Sequence, residues 1–137
     1  MTLIRGSCLC GGVRFEIDGR ISPIGQCHCS KCRKTSGTGS NAVLYTARSS
    51  LRYTSGEDLV RDFTRADGYG STFCATCGSP LPRLHRNGKI AFVPAGLLDD
   101  DPGVAVERHI FVGSRASWDV IGGDALQFEE DDPSLRR

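Results

Sequence analysis

The chain has 137 residues, 39% of them hydrophobic, which is enough for one domain with its own core. Its 17 Lys and Arg residues nearly balance 16 Asp and Glu residues, so the net charge argues against nucleic-acid or anionic-membrane partners. No stretch approaches the roughly 20 apolar residues of a membrane span, and residues 1–12 lack the apolar core of a signal peptide. We therefore expect a soluble, cytoplasmic protein.

Glycine is abundant and long apolar runs are few, which predicts a mainly β protein with short strands and many turns. Val13, Phe15 and Ile17 alternate with charged residues, as in a strand buried on one face. Similar patterns predict further strands at 42–46, 51–54, 59–64, 89–93 and 108–112. A single domain is expected over residues 1–128, followed by a charged tail, 129–137, that frays.

The first pair of cysteines, Cys8 and Cys10, lies in a Cys-Leu-Cys-Gly-Gly stretch. Side chains two positions apart on a strand lie about 6.5 Å apart. Two sulfurs on one zinc ion lie within about 4 Å of each other, so the backbone must curl here. Gly11 and Gly12 permit that curl, since glycine tolerates positive φ.

Three more thiols fall within six residues, at Cys27, Cys29 and Cys32. This density favours one thiolate-bound metal ion over core packing. His28 stands between two of the cysteines, but neighbouring residues rarely point at one ion, so we expect it outside the ligand set. His85 and His109 are expected to be surface or packing residues.

The last pair, Cys74 and Cys77, has the spacing of a zinc knuckle and is followed by Gly78. A redox Cys-x-x-Cys is the alternative, but no βαβ pattern surrounds it. The segment 35–41 between the second and third cysteine groups reads as a small polar loop, suited to ligand contact or simply solvated.

Seven cysteines divide naturally into four and three. A structural zinc has four protein ligands, whereas a catalytic zinc has three and an open position. We favour one ion bound by Cys27, Cys29 and Cys32, called the trio below. The other ion would be bound by Cys8, Cys10, Cys74 and Cys77. A different partition, with both Cys-x-Cys pairs on one ion and Cys32 joining the knuckle, remains open. Disulfides are disfavoured because the count is odd and no export signal is present.

Five stretches carry a resemblance to a known family. They are Gly6-Ser-Cys-Leu-Cys-Gly-Gly-Val13, Cys27-His-Cys-Ser-Lys-Cys-Arg-Lys-Thr-Ser-Gly37, Phe73-Cys-Ala-Thr-Cys-Gly-Ser-Pro-Leu81, Pro94-Ala-Gly-Leu-Leu-Asp-Asp100 and Arg108-His-Ile-Phe-Val-Gly-Ser-Arg-Ala-Ser-Trp118. The chain thereby resembles the glutathione-dependent formaldehyde-activating enzyme (GFA) family, also called the CENP-V/GFA domain.

The resemblance implies an Mss4-like fold of packed antiparallel sheets stapled by zinc, with few short helices. It also implies two zinc ions per chain. The structural ion would be held by Cys8, Cys10, Cys74 and Cys77, and the catalytic ion by Cys27, Cys29 and Cys32. The exposed three-cysteine site is expected to lose its metal or oxidise readily, and so to be partly empty.

The family's activity is the condensation of formaldehyde with glutathione to S-hydroxymethylglutathione, a carbon–sulfur lyase reaction. The carboxylates of glutathione would pair with Lys31, Arg33, Lys34 or Arg48. Because fold and zinc ligands do not fix a substrate, a non-enzymatic zinc-stapled binding module is the alternative function. A nucleic-acid-binding zinc ribbon is a third hypothesis, and the near-zero net charge argues against it.

Overall fold

Residues 3–134 are described by a computed structural model, and within them the regular elements are eleven strands and one α-helix, besides short 3-10 turns. In chain order they are β1 (Leu3–Ser7), β2 (Arg14–Asp18), β3 (Ile24–Cys27), α1 (Ser30–Ser36), β4 (Asn41–Ala47), β5 (Leu51–Ser55), β6 (Val60–Thr64), β7 (Gly70–Cys74), β8 (Arg83–Leu84), β9 (Ile90–Pro94), β10 (Val106–Ile110) and β11 (Leu126–Gln127). No helix in this part of the chain is long and apolar enough to cross a membrane.

The strands form three sheets. One has the order β1-β2-β5, the largest has the order β11-β10-β3-β4-β9-β8, and β6 pairs with β7 alone. Most neighbours are antiparallel, so the prediction of a mainly β fold with packed antiparallel sheets and few short helices is confirmed. The exception is β10, which pairs in parallel with both β3 and β11.

The core lies between the two larger sheets. Phe15 and Ile17 from β2 meet Leu44 from β4 and Val93 from β9, and each of these side chains is at most 1% exposed. Burying a side chain of this size contributes about 1.5–3 kcal/mol. Gly6 is needed for this packing, since a Cβ there would lie 2.3 Å from the Phe15 ring.

A second apolar cluster attaches the β6–β7 hairpin to this core. Cys8, Val13, Cys74 and Leu81 are buried together, with Leu59 and Val60 packed against them. Val13 is fully buried, and it directly follows the turn that carries the first cysteine pair. Two cysteines of the four-cysteine group, Cys8 and Cys74, are therefore part of the core, while Cys10 is exposed.

Two local expectations about secondary structure need correction. The segment 30–36 forms α1, which replaces the first part of the polar loop expected at 35–41. The strand expected at 108–112 lies at Val106–Ile110, and a 3-10 turn occupies Val112–Ser114.

The expectation that the chain frays from Glu129 is wrong for residues 129–132. Phe111 donates a backbone hydrogen bond to the Glu130 carbonyl at 2.8 Å, and Asp132 is only 5% exposed. Arg108 Nε lies 3.1 Å from Asp132 Oδ2, an ion pair that ties this segment to β10. Residues 135–137 of the expected tail lie outside the described residues.

Candidate functional site

The four cysteines of the first group converge from two turns that lie far apart in the sequence. Cys8 and Cys10 come from the turn between β1 and β2, and Cys74 and Cys77 come from the end of β7 and the turn after it. All four Sγ atoms lie within 4.8 Å of one another. Gly11 makes the curl that the sequence requires, with φ of 75°.

Backbone amides donate hydrogen bonds to three of these sulfurs, an arrangement that favours thiolates. Val13 N lies 3.3 Å from Cys8 Sγ, Gly12 N lies 3.4 Å from Cys10 Sγ, and Thr76 N lies 3.4 Å from Cys74 Sγ. Hydrogen bonds from Ser79 lower the pKa of Cys77 to about 5. Amide donors of this kind stabilise negative charge on sulfur, as metal-bound thiolates need.

The sulfur spacing also fits one tetrahedral ion. Cys8 Sγ lies 3.5 Å from Cys10 Sγ, and Cys10 Sγ lies 3.9 Å from Cys74 Sγ. Zinc–sulfur bonds of about 2.3 Å in a tetrahedron place neighbouring sulfurs about 3.8 Å apart. The donor set and its geometry therefore fit a closed zinc site.

The remaining three cysteines form a second cluster, again with all Sγ atoms within 4.8 Å. Cys27 ends β3, Cys29 is the N-cap of α1, and Cys32 lies in the first turn of that helix. Cys32 N donates to Cys29 Sγ at 3.4 Å, so Cys29 caps the start of the helix and also belongs to the cysteine cluster. This grouping matches the four-plus-three partition and not the alternative that places Cys32 with the knuckle.

The three thiols of the trio are suited to binding a cation. The hydrogen bond with Cys32 and burial raise the pKa of Cys27 far above its ordinary value, because neighbouring sulfurs cannot all ionise unaided. A thiophilic dication would relieve that repulsion. The three thiols therefore fit zinc, with one protein ligand fewer than the four-cysteine site.

A cleft of about 600 Å³ lies beside the trio, and Cys27 and Cys32 line it. Tyr45, Phe92 and Ile110 give it an apolar wall. None of the four-cysteine ligands lines this cleft. Thus the trio borders this cleft and the four-cysteine cluster does not, although Cys10 of that cluster is exposed to solvent.

Tyr69 also lines the cleft, and sequence reasoning missed it. Its hydroxyl lies 3.3 Å from Cys32 Sγ, and burial, together with the contact to Cys32, raises its pKa. In the sequence it is one residue of a polar Asp-Gly-Tyr-Gly turn. An aromatic residue within such a turn was the available signal, but the sequence does not show where the turn docks.

The four cations predicted to bind substrate lie around the cleft rather than in it. Lys31 Nζ pairs with Asp67 Oδ2 at 2.8 Å. Arg33 buries its Nε atom, which has no hydrogen-bond partner among the described residues. Lys34 is exposed on α1, and Arg48 lines a different cavity, beside β5. Their contact with substrate stays a prediction.

Three arginines do line the cleft: Arg83, Arg86 and Arg108. Arg83 pairs with Asp62 at 3.1 Å, and Arg108 pairs with Glu107 and Asp132. Arg86 is exposed in the turn between β8 and β9, and within residues 3–134 it makes no hydrogen bond or ion pair. It is thus the cleft arginine that is available to an anionic ligand.

Two histidines lie buried close to the trio. His28 Nε2 lies 3.0 Å from His109 Nδ1, and the two residues are 2% and 6% exposed. Asp119 Oδ2 lies 3.4 Å from His28 Nδ1. Burial lowers the pKa of both histidines, which favours their neutral forms. His28 lies outside the three-cysteine cluster, as expected, and is buried next to it.

Comparison with known proteins gives one family. The model of "Glutathione-dependent formaldehyde-activating enzyme" matches residues 3–114. A protein of Halomonas elongata named "Putative glutathione-dependent formaldehyde-activating enzyme" is 30% identical over 127 residues, covering 85% of this chain and 79% of that protein. A crystal structure of a Rhodobacter sphaeroides protein shares the fold, with a TM-score of 0.58 at 23% identity over 74% of this chain and 97% of that one.

Proposed function

Because the chain belongs to the glutathione-dependent formaldehyde-activating enzyme family, we propose that it is a two-zinc carbon–sulfur lyase of that type. Its substrates would be an aldehyde such as formaldehyde and glutathione or a related small thiol. The observation that carries the proposal is that two thiols of the three-thiol cluster, Cys27 and Cys32, line a cleft of about 600 Å³, while no thiol of the four-thiol cluster does. A cytoplasmic location stays a prediction.

The two clusters would have separate roles. Cys8, Cys10, Cys74 and Cys77 would hold a structural zinc ion, since four protein thiols close its coordination. The trio would hold the catalytic ion, with a position left for substrate. Zinc bound there would supply Lewis acidity and would favour the thiolate form of a bound thiol.

The reaction is an addition without any change of oxidation state. A bond forms between the thiol sulfur and the carbonyl carbon, and the carbon–oxygen double bond becomes a single bond. The sulfur loses its proton, and the carbonyl oxygen gains one, so the product is a hemithioacetal. The cleft assists by holding both reactants together and by excluding water with its apolar wall of Tyr45, Phe92 and Ile110.

Exchange NMR with 13C-formaldehyde and glutathione tests the proposal, because it measures the rate of carbon–sulfur bond formation at equilibrium. Wild-type protein with two zinc ions per chain should accelerate the exchange. Cys29→Ser should retain about one zinc ion and the uncatalysed rate. Ser30→Ala is the matched control, since Ser30 is the exposed neighbour of that ligand.

The same measurement separates the lyase from a non-enzymatic binding module. A binding module would hold both zinc ions and leave the exchange rate unchanged. Full acceleration by Cys29→Ser would contradict the proposed role of the trio.

A further inference from the structure

The turn between β6 and β7 docks on α1 and brings Tyr69 to the three-cysteine cluster. Lys31 Nζ of the helix lies 2.8 Å from Asp67 Oδ2 of the turn and 5.8 Å from the centroid of the Tyr69 ring. Tyr69 Oη lies 3.2 Å from Thr35 Oγ1, a second contact with the same helix. Tyr69 is thus held from two sides and is not a freely moving surface residue.

The hydroxyl of Tyr69 can donate one hydrogen bond, and Cys32 Sγ, 3.3 Å away, is positioned to accept that hydrogen bond. Thr35 Oγ1 lies 2.9 Å from the Lys31 carbonyl as well as 3.2 Å from Tyr69 Oη, so its own proton serves one of them at a time. An O–H···S contact is a weak hydrogen bond. A substrate oxygen placed beside Cys32 would compete with the sulfur for the hydrogen bond that Tyr69 donates.

The cleft is where such an acceptor would sit. Cys27, Cys32 and Tyr69 line it together, so a ligand held at the sulfurs also reaches the tyrosine. In a hemithioacetal the oxygen is bonded to the same carbon as the sulfur. A ligand whose sulfur lies at the trio consequently carries its oxygen into the neighbourhood of the phenol.

We propose that Tyr69 is a catalytic residue whose hydroxyl donates a hydrogen bond to the substrate oxygen, first as the aldehyde carbonyl and then as the S–C–O group. This inference rests on the proposed function. Negative charge grows on that oxygen as the carbon–sulfur bond forms, and a fixed donor stabilises charge that develops in the transition state. Thr35 and Lys31 act through Tyr69 and are positioning residues.

Tyr69→Phe removes the donor and keeps the ring, with Tyr53→Phe as the control. Tyr53 is the half-buried tyrosine of β5, packed edge-on against Phe15 and outside the cleft. In exchange NMR, Tyr69→Phe should lower kcat roughly 100-fold, as removal of one oxyanion donor does. Tyr53→Phe should match wild type. Both variants should retain two zinc ions per chain.

A binding measurement tests the donor without any turnover. Thioacetate and ethanethiol both bind through sulfur, but only thioacetate carries an oxygen on the adjoining carbon. By calorimetry on the zinc-loaded protein, the preference for thioacetate should fall about 5-fold in Tyr69→Phe, the worth of one hydrogen bond. Using the ratio of the two dissociation constants removes any general effect on the zinc site.

The outcomes separate the two proposals. An unchanged thioacetate preference in Tyr69→Phe overturns the inference, whatever the activity. Loss of a zinc ion in that variant also overturns it, because the hydroxyl would then serve the metal site alone. If wild type does not accelerate the exchange and the preference still falls, the proposed reaction fails, while Tyr69 stands as a donor to a ligand oxygen.

Discussion

His28 Nε2 lies 3.0 Å from His109 Nδ1, a buried contact between the segment that carries the trio and β10. The parallel pairing of β10 with β3 creates it, since His109 is opposite Gln26 and His28 N donates to the Ile110 carbonyl at 3.0 Å. A carboxylate of Asp119 3.4 Å from His28 Nδ1 favours the tautomer with the proton on that nitrogen. His109 Nδ1 then donates, and His28 Nε2 accepts.

His109→Leu should destabilise the protein by about 1–3 kcal/mol, because it leaves His28 Nε2 buried without a partner. For a domain of this size the melting temperature should fall by roughly 3–10 °C in calorimetry. His85→Leu is the comparison variant, since His85 is only half-buried and contacts the exposed turn at Asn87. Equal effects of the two substitutions would show that the buried contact adds nothing.

Cys77→Ser should abolish cooperative unfolding. A structural zinc ion contributes about 10–16 kcal/mol to folding, which matches or exceeds the roughly 5–15 kcal/mol net stability of a domain. Cys77 completes the link between the β1–β2 turn and the segment after β7, so its loss frees both. Metal analysis and a thermal melt followed by circular dichroism would measure this.

The control for Cys77→Ser is Cys29→Ser, which should keep a cooperative melt and lose only the ion of the trio. A cooperative melt of Cys77→Ser at the wild-type temperature would show that the four-cysteine cluster does not hold the fold together.

The cysteine groups could be predicted from the sequence because their spacing encodes local geometry. Two residues between Cys74 and Cys77 demand a tight turn. The single residue between Cys8 and Cys10 demands a curled backbone, which Gly11 provides with φ of 75°. The helix α1 could not be predicted in this way. It has seven residues and one buried side chain, and its ends depend on Cys29 as N-cap and Gly37 as C-cap. Hydrophobic periodicity cannot identify a helix in so short and polar a segment.

Long-range pairings were also beyond sequence reasoning. The alternation in 108–112 indicated a strand near β10, but not that this strand runs parallel to β3 behind the trio. The charge of the segment after Glu129 suggested fraying, whereas Asp132 finds Arg108 and is buried. Both features depend on partners far away in the sequence, which local patterns do not specify.

A chelator should remove the two zinc ions in two steps. The trio supplies three ligands and borders an open cleft, so its ion should leave first, with the fold intact. The ion on four ligands should leave only as the protein unfolds. Zinc release to a colorimetric indicator, recorded together with far-ultraviolet circular dichroism, measures both steps. Release of both ions in one step with loss of structure would contradict the different roles of the two sites.

Arg86 and Lys34 give opposite predictions for how the cleft recognises a carboxylate-bearing thiol. Arg86 lines the cleft and has no partner in the described chain, whereas Lys34 is exposed on α1, outside the cleft lining. Arg86→Ala should raise KM for glutathione about 2- to 5-fold, the worth of an exposed ion pair, with kcat unchanged. For uncharged 2-mercaptoethanol KM should stay the same, and the difference for glutathione should shrink as salt screens the charges. Were Lys34→Ala to raise KM for glutathione and Arg86→Ala not, the sequence-based assignment would be right, and the carboxylates would lie along α1.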